Sequence, residues 1–181
     1  MGQMSVSVTR RGLVVPMLGV LAAATPAARI GHAQEQRLPR PAEPVILTVS
    51  GRIGVTNSDG AAEFDRLMLE GLGMTGFETT TPWYDGPVRF DGVRMDRLME
   101  AVGANGETIL AYALNDYSTE IPVGDFARHN VLLALKRNGL YMPIRDKGPL
   151  FIVYPYDSDP QLRHQRFYSR SAWQLVRIVV R

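Results

Sequence analysis

Leu135 to Pro155 reads LKRNGLYMPIRDKGPLFIVYP, and its reading decides the fold. The apolar run Val131–Leu135 leads into Asn138-Gly139, and a second apolar run, Leu150–Tyr154, follows Pro143 and a charged loop. Asn-Gly between two β-prone runs marks a tight hairpin, because both residues tolerate the positive φ of a primed turn. The loop Arg145-Asp146-Lys147-Gly148 sets two cations and one anion between buried strands. Those residue types suit an anionic ligand, and they equally suit a solvated turn with an internal Arg-Asp pair.

Working outward, strands and short helices mix without strict alternation. Val45–Val49 predicts a strand that Ile53 continues, and Asn57–Gly60 a turn. Phe64, Leu67, Met68 and Leu72 recur at helical spacing, which predicts a helix over Ala61–Gly71. Phe77–Thr81 is a β-branched strand closed by Pro82-Trp83. Asp85-Gly86 reads as a turn, Val88–Phe90 as a strand, and Asp91 as the N-cap of a helix carrying Val93, Leu98 and Val102. Ile109–Leu114 and Tyr117–Ile121 are strands joined at Asn115-Asp116, and a brief helix over Gly124–His129 precedes the Val131 strand. Asp157–Pro160 reads as a turn or helix start, and Trp173–Val180 as the last strand, with Val176, Ile178 and Val180 on one face. This order argues an α+β fold, a mixed β-sheet domain with short helices.

The N-terminal residues read differently. Arg10-Arg11, the apolar run Gly12–Ala28 and the small residues of Gly31-His32-Ala33 have the layout of a cleaved export signal. The run carries Pro16 and Pro26 and falls short of the about 20 residues a membrane span needs. Thr9–Leu13 also resembles a twin-arginine signal. Residues 1–33 are therefore expected to be a signal peptide, 34–44 a disordered, proline-rich linker, and 45–181 the domain, placed in the periplasm or outside the cell. The chain has 20 Lys and Arg against 18 Asp and Glu. Arg10, Arg11 and Arg29 belong to the signal, so removing them leaves 17 against 18. A near-neutral domain lacks the positive field that nucleic acid demands, and no nucleic-acid partner is expected. With no cysteine, disulfides, thiolate metal sites and cysteine nucleophiles are excluded. His129 and His164 stand isolated, with no zinc-like spacing.

In order, Asp91-Gly92-Val93 to Leu98, Asp116-Tyr117 to Ile121-Pro122, Asn138-Gly139 to Pro143, Gly148-Pro149-Leu150 with Pro155, and Ser169–Trp173 to Ile178 together resemble the sulfite-oxidase-type molybdopterin-binding domain. The resemblance covers nearly all of 45–181 and implies that family's fold. It also implies a molybdopterin pocket, and a molybdenum-ligating cysteine on the segment before the Leu98 helix. Here that segment is Thr79–Trp83, and Thr80 aligns with the cysteine. A hydroxyl is a hard, poorly ionised substitute for a soft thiolate. No metal ligand and no catalytic residue is assigned. The resemblance sets Thr80, Thr81, Trp83, Asn115, Asp116, Tyr117, Arg145, Lys147, Arg170 and Ser171 as candidate cofactor-binding residues, with the three cations as candidate phosphate partners.

Three functions fit. The first is a domain that binds a pterin or small anionic ligand without redox turnover, reporting occupancy to a membrane sensor or redox partner. The second is an active molybdopterin-dependent oxidoreductase with non-standard ligation, and the third a structural interaction domain with a filled pocket.

Overall fold

The computed structural model describes residues 1–3 and 38–181. Nearly all of the expected signal segment, and residues 34–37 of the expected linker, lie outside the described residues. Among those described, no helix is long and apolar enough to cross a membrane.

Two sheets carry the domain. The first is ordered β2-β1-β10-β5-β6, from β1 (Leu47–Gly51), β2 (Ala61–Phe64), β5 (Thr108–Ala113), β6 (Ser118–Pro122) and β10 (Leu175–Val180). Only β1 and β10 run parallel in it. The second is ordered β3-β4-β7-β8, from β3 (Met74–Thr81), β4 (Tyr84–Arg94), β7 (Leu132–Arg137) and β8 (Leu140–Tyr141), and β9 (Phe151–Val153) also pairs with β7. Four short helices connect them: α1 (Arg66–Gly71), α2 (Met95–Ala101), α3 (Gly124–His129) and α4 (Gln165–Arg170). The mixed architecture is the α+β fold that the pattern predicts.

The Asn138-Gly139 hairpin forms as expected, with both residues at positive φ (49° and 80°). Other expectations need correction. Ala61–Phe64 is not helical: Ala62 and Phe64 alternate inward, and the segment pairs antiparallel with β1. The helix starts only at Arg66, because Asp65 is extended and its carboxylate accepts the Met68 amide at 2.8 Å. The helical spacing of Phe64 with Leu67 and Met68 spans that boundary. Ile53 lies beyond β1, where the chain has turned. Asp85-Gly86 is no turn either. The hairpin turns at Pro82-Trp83, since Thr81 pairs with Tyr84 while Thr80 pairs with Pro87. Asp85 and Gly86 are thus extra residues bulging from β4, with Gly86 at φ 72°. Asp91 caps nothing, because β4 runs on to Arg94 and pairs Asp91 with Gly76. Val176 falls outside the buried stripe of β10, which is Leu175, Ile178 and Val180, because the register shifts between Leu175 and Arg177.

Of the expected linker, residues 38–44 lie against the domain. Leu38 packs on the core, and the Ala42 and Glu43 amides donate to the second oxygen of Asp65 at 2.8 and 3.1 Å. The buried Asp65 carboxyl is held below its ordinary pKa, first by the Met68 amide and against the cost of burial.

β4 and β7 approach closely at Gly92, where an added Cβ would sit 2.0 Å from the Leu133 carbonyl oxygen. Gly92→Ala is therefore expected to cost about 1–3 kcal/mol, as overpacking does. Urea denaturation of the two proteins side by side would show it as a lower midpoint at unchanged slope.

Candidate functional site

The threonine run ends β3, and all three hydroxyls are occupied. Thr79 is buried; its Oγ1 accepts the Asp157 amide at 3.1 Å and donates to the Thr80 carbonyl at 3.3 Å. Thr80 donates twice to the Asp157 carboxylate, from its amide at 2.5 Å and its hydroxyl at 2.6 Å. Thr81 Oγ1 accepts the Trp83 amide at 3.3 Å. Arg163 completes the clasp by pairing with Asp157 at 2.7 Å. The Asp157 carboxyl lies below its ordinary 3.8, chiefly because the Thr80 hydroxyl bonds its charged form. Thr80 therefore fastens the end of β3 to the chain that follows β9, and its oxygen is turned to that task.

Beside the clasp opens a cleft of about 270 Å³, lined by Pro82, Trp83, Tyr117, Gln165, Tyr168, Ser169, Ser171 and Trp173. The β3–β4 turn supplies Trp83, whose ring stands edge-on to Trp173 and to Phe151 at centroid distances of 5.4 Å each, and to Tyr168 at 6.0 Å. Tyr117 lies nearly parallel to Trp173, with centroids 6.5 Å apart, and donates from its hydroxyl to the Ser169 carbonyl at 2.5 Å. The buried Ser171 hydroxyl donates to the Phe167 carbonyl at 2.9 Å and shares a hydrogen bond with the Tyr156 hydroxyl. Burial pushes the Tyr156 phenol pKa up. The lining is neutral throughout, and half of it is aromatic.

The expected residues thus divide. Trp83, Tyr117 and Ser171 line the cleft together, while Thr80 and Thr81 lie just behind its edge in the clasp. Asn115 and Asp116 form the β5–β6 turn: Asn115 Oδ1 accepts the Tyr117 amide at 3.2 Å, and Asp116 takes φ 63°. They aim Tyr117 and stand in solvent themselves.

The three cations do not act as a group. Arg145 is exposed and makes no hydrogen bond or ion pair among the described residues. Lys147 rests over the rings of Tyr84 and Trp173, at 4.7 and 5.6 Å, just outside the cleft lining. Arg170 pairs with buried Asp125 at 2.6 Å and lines a different cleft. Asp146, beside Arg145 in sequence, pairs instead with Arg137 at 2.6 Å and accepts the Tyr84 hydroxyl at 3.0 Å. The Tyr84 phenol is raised to about 12, first by burial and then by Asp146. Sequence reading missed the α4 wall of Gln165, Tyr168 and Ser169. Only Phe167 is buried in that helix, so no apolar period marks it. Its one signal is His164, whose Nδ1 accepts the Arg166 amide at 3.2 Å as an N-cap.

Residues 64–157 match the family model of the oxidoreductase molybdopterin binding domain. The chain belongs to this family. No curated protein matches it. The matched span holds the threonine run, the β5–β6 turn and the Arg145–Lys147 loop, whereas α4 and Trp173 fall beyond it. As a seat for molybdopterin the site fits in one part only. Flat aromatic walls suit a fused heterocycle. The metal end finds no thiolate: the chain has no cysteine, the threonine hydroxyls are engaged, and no three His, Asp or Glu side chains converge among the described residues. Arg170 lines the other cleft, and neither Arg145 nor Lys147 lines it or the aromatic one.

Because its folded pKa is depressed, Asp157 contributes stability above its unfolded pKa of about 3.9, and that stability is lost as pH falls through the folded value. Asp157→Asn is expected to lower stability by about 1 kcal/mol at neutral pH, as a half-exposed charge-assisted contact would. The gap from the parent should close as both are acidified. A gap that persists in acid would show that the carboxylate charge is not what holds the clasp.

Proposed function

We propose that this domain binds a pterin-type planar heterocycle in the Trp83–Trp173 cleft and does not turn it over by redox chemistry. The observation that carries this reading is the clasp. The residue aligned with the family's metal-binding position spends both its hydroxyl and its amide on Asp157, while the aromatic cleft beside it stays open to solvent-borne ligands. The neutral lining favours a flat ring over a small anion. Stacking on the parallel Trp173 and Tyr117 rings, with Trp83 meeting the ligand edge-on, would supply affinity, and hydroxyls and carbonyls at the rim would set orientation.

The resemblance at residues 1–33 supports export, so the domain would meet its ligand outside the cytoplasm. A bound ring would order α4 and the β5–β6 turn, both of which wall the cleft and lie at the surface. That change is what a membrane sensor or redox partner would read.

Thermal melting with molybdopterin precursors or soluble pterins tests the binding half. The midpoint should rise by mass action, and Trp173→Ala should weaken the response at least about tenfold, the loss of one stacking contact of about 1.4 kcal/mol. An unmoved midpoint with every pterin ends the proposal. Metal analysis after expression in a molybdopterin-competent host tests the other half: stoichiometric molybdenum would restore the oxidoreductase reading.

A further inference from the structure

A second hollow of about 270 Å³ lies between α3 and α4, on the side of α4 away from the aromatic lining, bounded by Asp125, Arg128, His129, Arg166, Phe167 and Arg170. Its charges do not balance. Asp125 is the only acid in the lining, and it is already paired: its Oδ2 accepts the Tyr154 hydroxyl at 2.9 Å and Arg170 at 2.6 Å. Arg128 and Arg166 make no ion pair or hydrogen bond through their side chains among the described residues. Three guanidiniums against one carboxylate leave two positive charges in excess around one small space.

The donors are also held in place. The guanidinium carbons of Arg166 and Arg170 lie 4.7 and 5.6 Å from the Phe167 ring centroid, one helical turn apart, and His129 stands edge-on to the same ring at 5.3 Å. Stacked guanidiniums keep their N–H edges free while losing rotational freedom, which lowers the entropic cost of capturing a ligand. Like charges crowded together repel unless something bridges them, and an oxyanion with several acceptors can take a fork from each arginine.

The geometry points to a binding site for a tetrahedral oxyanion of the phosphate class, held by Arg128 and Arg166 with Arg170 and His129 at its base. It shares no lining residue with the aromatic cleft and does not depend on what that cleft binds. The free anion and the phosphate group of a larger molecule have the same chemistry, and a titration separates them.

Inorganic phosphate and phenyl phosphate would each be titrated into the full chain at constant ionic strength, with chloride as the reference, by calorimetry and by thermal melting. Saturable binding absent with chloride is expected. Arg128→Gln and Arg166→Gln should each weaken it about tenfold, the effect of removing one charge-assisted contact. Both residues are exposed, so the variants keep the fold. Tighter phenyl phosphate would identify an ester as the ligand, and equal affinity the free anion; both support the site. A phosphate response no greater than that of chloride, or two arginine variants that bind like the parent, would overturn it.

Discussion

Phe151 is the side chain on which the arrangement of this domain depends. It belongs to β9, pairs through that strand with β7, and forms an isolated bridge with Trp173 on the approach to β10. Fully buried, it meets Trp83 at 5.4 Å, Phe90 at 5.8 Å and Trp173 at 6.2 Å, all edge-on. Edge-to-face pairs prefer a defined angle, so the cluster sets orientation as well as burying area. One residue thereby ties a hairpin turn of one sheet to the entry of a strand in the other. The two tryptophans it positions are the walls of the cleft, and that surface exists only because the core behind it is aromatic.

What was readable in the chain follows from how local the determining interactions are. The Asn138-Gly139 hairpin and the Gly124–His129 helix carry their causes within a few residues and form where expected. Ala61–Phe64 reads as helix because four residues can fit both periods, and its pairing with β1 across the Arg52–Gly60 connection leaves no mark within the segment itself. Asp91 has the chemistry of a cap, yet β4 pairs straight through it, and pairing across the sheet outweighs that preference.

The site was half readable for the same reason. Trp83 and Tyr117 sit at turns between strands, which the pattern locates, and the fold brings them together with Ser171 at the end of α4. Arg145, Lys147 and Arg170 are grouped by the family resemblance and by charge. Charge does not say where a side chain goes when acids such as Asp125 compete for it and rings such as Trp173 draw it aside. The α4 wall was invisible because a six-residue helix with one buried side chain has no period to read.

The clasp at the end of β3 is closed by nitrogen and oxygen, without sulfur: hydroxyl, amide and carboxylate, with an arginine behind. A sulfur at that point would make the junction answer to peroxide, to metals and to thiol reagents. Built as it is, the junction is blind to all three, and its closure is governed by protons and ionic strength. In an oxidising compartment such a fastening would neither rust nor need a reductase to keep it shut.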